Sequence, residues 1–379
     1  MSTQQAIAAG HVFDGTIVHR NAAVVIDGPQ VGGIVPRDRV PSSIEVRDFA
    51  GAWLAPGFID IQVNGGGDVL FNDTPTPEGI AAIAGAHRRF GTTGLLPTLI
   101  SDTPEKMRAA LAAVGAVMAR EPGILGIHLD GPFLSPEKPG VHDLRVIRKP
   151  TREDAALLTA PCQGAILVTL APEQVPAGFI AALVGAGVRV ALGHSMATYA
   201  QTQAAMAEGL TGFTHLFNAM RPLTSRDPGP VPAALESPKA WFGMIVDGVH
   251  VDPAVLRLAL RGLARPILVT DAMPPVGGRR PTFTLYGEEM LVRDGRCTRR
   301  DGTLAGACLD MAAAVGNTVR LLGVAVEDAL RMASTYPADV IGLGHALGRL
   351  AAGYRADVVA FDPTTMQVLD TWVAGKSGE

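Results

Sequence analysis

The chain has 379 residues, 47% of them hydrophobic, and a formal net charge of -4. That supports a large buried core, while the net negative charge and singly scattered basic residues exclude a surface for nucleic acid or an anionic membrane. No stretch reaches the roughly 18 apolar residues of a membrane span.

The N-terminal Met1-Ser2-Thr3-Gln4-Gln5 has no basic segment leading into an apolar run, so a cytoplasmic protein is expected. The first fifty or so residues read as short strands at 6–9, 22–27, 32–35 and 44–48, punctuated by Asp14-Gly15 and Asp27-Gly28-Pro29. Short apolar runs then recur at 58–63, 94–98, 124–129, 165–170, 188–192, 212–214, 242–246 and 267–270. Amphipathic segments follow them at 77–90, 104–120, 151–159, 176–186, 198–209, 231–235, 253–263 and 309–322. Continuous apolar strands alternating with helices indicate a parallel sheet buried on both faces. Eight such units predict an α/β fold, a closed (β/α)₈ TIM barrel, over residues 55–345. The last thirty residues return to strand patterns at 356–361 and 368–373. Neither end carries its own core, so residues 1–54 and 346–379 are expected to pair into a small β-sandwich domain. Cys162, Cys297 and Cys308 cannot all pair and none lies in a Cys-x-x-Cys, which reads as reduced thiols.

Barrel enzymes place their functional groups where strands end, and here those positions are rich in histidine. The third strand runs into His128-Leu129-Asp130, the fifth into Gly193-His194, the sixth into Thr214-His215, the seventh into Asp247-Gly248-Val249-His250, and the eighth into Thr270-Asp271. His142 lies in the loop after the third strand. One carboxylate and two imidazoles from separate strands suit Zn²⁺ or a similar divalent ion with a position left open. Asp271 on the eighth strand is the natural proton carrier, accepting from water and returning the proton to a departing amine. His142 is a candidate donor to the scissile carbonyl. His87, His11, His19 and His345 read as packing or surface residues, His128 as either core packing or support for Asp130, and Lys138 as a solvated lysine. Gly65-Gly66-Gly67 lacks phosphate-loop spacing and reads as backbone clearance.

The chain resembles the N-acetylglucosamine-6-phosphate deacetylases of the amidohydrolase superfamily over nearly its whole length. The resemblance is carried by Pro56-Gly57-Phe58-Ile59-Asp60, His128-Leu129-Asp130-Gly131-Pro132, Gly140-Val141-His142, Gly193-His194-Ser195, Thr214-His215-Leu216-Phe217-Asn218-Ala219-Met220, Arg226-Asp227-Pro228-Gly229, Asp247-Gly248-Val249-His250, Thr270-Asp271-Ala272-Met273 and Leu304-Ala305-Gly306. It implies hydrolysis of the N-acetyl group of N-acetylglucosamine 6-phosphate to glucosamine 6-phosphate and acetate. The implied metal ligands are Asp130, His194 and His215, with Asp271 as acid and base and His142 at the carbonyl. Sugar contacts map to Val141, Asn218, Ala219, Leu304, Ala305 and Gly306, and phosphate contacts to His250 and Arg226, the latter reaching across a homodimer interface. Without that resemblance, Arg226 beside Asp227 reads equally as a solvated loop pair.

Two departures matter. The family usually has glutamate at Asp130, and the His-x-His that builds a second metal position is here Gln62-Val63-Asn64. Amide side chains are poor zinc ligands, so one divalent metal per subunit is expected: zinc, with Fe²⁺, Co²⁺ and Mn²⁺ sharing the ligand types. The competing readings are an amidohydrolase acting on another N-acyl sugar or a cyclic amide, and an inactive barrel kept as a scaffold. A Schiff-base aldolase is excluded by the absence of lysine from the strand exits. The sequence leaves open the choice between glucosamine and galactosamine configurations.

Overall fold

The eight apolar runs form one parallel sheet in a computed structural model that describes residues 4–378. Met1 to Thr3 and Glu379, at the limits of the expected terminal domain and leader-free N-terminus, lie outside the described residues. In sheet order the strands are Phe58–Val63, Thr92–Ile100, Gly126–Asp130, Ala165–Leu170, Arg189–Leu192, Gly212–Phe213, Trp241–Met244 and Arg265–Leu268. The first three are buried at every position, as strands covered on both faces must be. The first and last strands meet just beyond the eighth, where Val63 bridges Ala272 and the Asn64 amide donates to Ala272 O at 2.9 Å. That nearly closes the barrel and brings the ends of both strands to one rim.

The helices begin where their sequence signals stand. Thr76, Thr103, Thr151 and Thr198 cap Pro77–Arg88, Pro104–Val117, Arg152–Thr159 and Tyr199–Ala207 with their hydroxyls, and Asp310 caps Met311–Leu322. A capping side chain satisfies an amide that the helix itself leaves unpaired. Proline follows the cap in the first two, where its missing N–H costs nothing.

Both termini build one seven-stranded sheet beside the barrel. Its order is Lys376–Ser377, Val368–Val373, Val358–Phe361, Glu45–Pro56, Gln4–Phe13, Val18–Asp27 and Gln30–Pro36. Ile7, Val24, Ile26, Leu54, Val358 and Trp372 are buried together there. Glu45–Pro56 is much longer than its expected 44–48 and leads directly into the first barrel strand.

A second, antiparallel sheet has no counterpart in the expected elements. It consists of Thr282–Leu285, Glu288–Arg293, Arg296–Thr298 and Leu304–Ala307, inserted between the eighth barrel strand and Met311–Leu322. Its strands are three to six residues long, too short for periodicity to register, and mostly half exposed. The signal present is in the turns. Tyr286-Gly287 and Asp294-Gly295 both have positive φ at each central residue, the two-residue hairpin geometry that Asp-Gly favours. All three cysteines are free, and Cys297 and Cys308 at this sheet lie with Sγ atoms 2.7 Å apart.

Candidate metal centre and active site

Asp130, His194, His215 and Asp271 are each the residue at, or within three residues after, the end of a barrel strand. They line one cavity of about 350 Å³ together with Asn64, His142, Asn218, Ala219 and His250. The backbone is strained at this rim: His194, His215 and Asp271 have φ of 48°, 34° and 51°, and Phe217 and Ala219 are also positive. Non-glycine residues in that region each cost about 1–3 kcal/mol and cluster at functional sites.

Asp130, His194 and His215 each offer a ligand atom, all within 4.8 Å of one another. The fit to a divalent ion rests on what these atoms lack. Asp130 Oδ1 and His215 Nδ1 are buried without a hydrogen-bond partner, and the Nε2 atoms of His194 and His215 face each other at 3.1 Å. His194 Nδ1 donates to Lys138 O at 2.9 Å, so its lone pair is on Nε2, which lies 3.9 Å from Asp130 Oδ2. This backbone carbonyl sets the tautomer that a ligand needs. Burial, followed by neighbouring imidazoles, pushes His215 well below the ordinary histidine range. Burial also lowers His194 and raises Asp130 to about 7. Neutral imidazoles with free lone pairs beside an uncompensated buried carboxyl form a donor set that a cation satisfies.

Asp271 is pushed up to about 6 by burial, opposed by the His250 charge and the Asn64 hydrogen bond. Its Oδ1 accepts from Asn64 Nδ2 at 2.7 Å and from Gln62 Nε2 at 3.1 Å. The two amides that replace His-x-His are therefore engaged as donors to the acid/base candidate. Beneath them Thr270 Oγ1 donates to the fully buried Asp60 at 2.5 Å, and the Gln62 amide to the same carboxylate. Burial pushes Asp60 up to about 7. None of this follows from spacing, because Gln62 and Asn64 reach Asp271 only through closure of the barrel.

The other expected residues divide. Val141, Asn218, Ala219, Leu304 and Gly306 line the cavity, whereas Ala305, in the last strand of the hairpin sheet, is wholly buried and not part of its wall. His250 lines the cavity and is paired with Asp247 at 2.6 Å. Burial disfavours its charged form, but the Asp247 hydrogen bond and charge outweigh that and raise it above the ordinary histidine value. Arg226 is exposed and absent from the cavity wall, and Asp227 pairs with Arg221. His128 is buried between Thr98 and Thr169, 2.7 Å from Thr169 Oγ1, which makes it part of the polar core under the rim. His87 is fully buried, its Nε2 hydrogen-bonded to Gly65 O. Gly65 and Gly66 do provide clearance: a Cβ would stand 2.5 Å from Val69 O and 2.8 Å from His87 Nε2 respectively.

The family model for amidohydrolases matches residues 53–378. An N-acetylgalactosamine-6-phosphate deacetylase of Shewanella sp. (strain ANA-3) is 42% identical over 327 residues, 85% of this chain and 82% of that protein. An N-acetylglucosamine-6-phosphate deacetylase of Haemophilus influenzae is 34% identical over 365 residues, 95% of each chain. The crystal structure of the N-acetylglucosamine-6-phosphate deacetylase from Pasteurella multocida superposes with a TM-score of 0.96 at 36% identity, covering 99% of both chains.

Proposed function

The chain belongs to the amidohydrolase family, and from that premise we propose that it hydrolyses the N-acetyl group of N-acetylglucosamine 6-phosphate, in amino-sugar catabolism. The observation that carries this reading is the convergence of Asp130, His194, His215 and Asp271 on a single cavity that also holds His142 and His250. Asp130, His194 and His215 hold one divalent ion, zinc by preference, with Fe²⁺, Co²⁺ or Mn²⁺ compatible with the same donors. When bound, such an ion supplies Lewis acidity, bringing the pKa of water toward about 7 and polarising an amide carbonyl.

The remaining steps belong to side chains. Asp271 takes the proton of the attacking water; its second oxygen remains for that task while Oδ1 is held by Asn64 and Gln62. His142 donates to the acyl oxygen as negative charge develops there. Protonated Asp271 then gives its proton to the sugar nitrogen, which departs as an amine. Asn218, Ala219, Val141 and the Leu304–Gly306 segment bind the sugar, and His250 the phosphate. Arg226 supplies a second phosphate contact from the other subunit of a homodimer, which accounts for its exposure in a single chain. The protein acts in the cytoplasm.

Acetate release from 6-phosphorylated and unphosphorylated N-acetyl sugars, with and without chelator, tests this reading. Activity should be confined to the phosphorylated sugars and abolished by chelation; equal activity on free N-acetylglucosamine would overturn it. The 42% identity to a galactosamine-type relative favours including N-acetylgalactosamine 6-phosphate, and the two epimers should be compared directly.

A pH dependence follows from His250. Its raised pKa means that the imidazolium is present at low pH and is lost as pH climbs through that raised value. KM for the 6-phosphate should therefore rise over that interval. In Arg226→Ala KM should rise about tenfold or more, since a charge-assisted hydrogen bond contributes about 1.5–3 kcal/mol, while kcat changes little. A loss confined to kcat would remove Arg226 from phosphate binding.

A further inference from the structure

His142 projects from an irregular loop, and what fixes its ring is Ser101, the first residue past the strand Thr92–Ile100. The Ser101 amide N–H donates to His142 Nδ1 at 3.3 Å, and Ser101 Oγ lies 2.7 Å from the same nitrogen. A backbone N–H is a donor only, so Nδ1 carries the lone pair and the ring proton of the neutral imidazole resides on Nε2. That nitrogen is the one turned toward the centre, 3.8 Å from Asp130 Oδ2.

The position of the Ser101 hydroxyl is built on both sides. Gly131 adopts φ +92°, and a Cβ there would stand 2.1 Å from Ser101 Oγ, so glycine makes the room that the hydroxyl occupies. From the hairpin sheet, Tyr286 donates its hydroxyl to Ser101 O at 2.5 Å, and Arg299 Nη2 donates to Val141 O at 3.2 Å. Ile100, Val141, Leu285 and Met290 are buried in one cluster. The inserted sheet thus clamps together the segment bearing Ser101 and the segment bearing His142.

We propose that Ser101 is a positioning residue for the deacetylation, holding His142 in the Nε2–H tautomer and aiming that hydrogen at the acyl oxygen, with Tyr286 fixing Ser101 in turn. The proposal rests on the reading of His142 as the carbonyl-polarising donor.

Two measurements on the metal-loaded enzyme test it. Nitrogen-15 NMR of the histidine side chains should show His142 of the wild type with a protonated Nε2 and an unprotonated Nδ1; a protonated Nδ1 overturns the proposal, whatever the variants do. In steady-state assays, Ser101→Ala should lower kcat about tenfold, the scale of one lost hydrogen bond, with KM within about twofold and metal content unchanged. Ser101→Thr, which restores the hydroxyl, should recover most of the loss. Wild-type kcat in Ser101→Ala, or a loss expressed wholly in KM or metal content, overturns the assignment. Tyr286→Phe, which leaves Ser101 in place, should lower kcat by a smaller factor and serves if Ser101→Ala does not fold. Failure of the functional reading is seen separately, as absence of acetate release by the wild type.

Discussion

Asp271→Asn is expected to lower kcat by about 10²- to 10⁴-fold, the range for loss of a positioned general acid and base, while the fold and metal content persist. The substitution keeps the side-chain volume and an oxygen that still accepts from Asn64 and Gln62. The backbone tie from the Asp271 amide to Gln62 O, 3.0 Å, is unaffected. What disappears is the capacity to carry a proton. A carboxyl pushed up to about 6 by burial, against the His250 charge and the Asn64 hydrogen bond, is matched to taking a proton from water and returning it near neutral pH. The asparagine also removes a charge whose ionised form burial disfavours, so the melting temperature should be equal to or above that of the wild type. Acetate release, metal analysis and a thermal melt together check this. Turnover within tenfold of the wild type would remove Asp271 from proton transfer.

The barrel was legible because its physics is repetitive. A strand buried on both faces is mostly apolar, and 58–63 and 165–170 coincide with Phe58–Val63 and Ala165–Leu170, the first interrupted only by the buried Asp60 and Gln62. The helix starts were equally direct, since Thr103-Pro104 and Thr151 with Asp154 three residues on are capping signals that act locally. The terminal strands were placed but drawn too short: the reading at 6–9 stops at Gly10, whereas antiparallel pairing with Val18–Asp27 carries the strand over Gln4–Phe13. The hairpin sheet was missed because its strands are only three to six residues long and its few buried side chains, Leu285, Met290 and Cys297, cluster with Ile100 and Val141, a tertiary contact that no local pattern shows. At the site, charged and imidazole groups at strand ends could be read in one dimension. The partners of those groups could not. Lys138 reads as a solvated lysine, yet its backbone carbonyl sets the His194 tautomer. Ser101 carries no chemical signature of its own, and Gln62 and Asn64, read in sequence only as amides in place of metal-binding imidazoles, become donors to Asp271 only where the fold brings them against it.

Replacing a single ligand should be nearly as costly as losing the acid. His215→Ala, or chelation of the wild type, is expected to reduce kcat about 10³-fold or more, since Lewis-acid stabilisation contributes several kcal/mol and each 1.4 kcal/mol is tenfold. Adding Zn²⁺ back should restore the chelated wild type but not the variant, where only two protein ligands remain. Stoichiometry is the sharper test of why the first strand carries amides. In Gln62 and Asn64 the NH₂ groups donate to Asp271, so they orient the proposed proton carrier where imidazoles would bind a second ion. Metal analysis should accordingly return one ion per wild-type chain and well under one for His215→Ala. Two tightly held ions per chain would mean that the amides do not keep a second ion from this rim, and the part given to Gln62 and Asn64 would have to be abandoned.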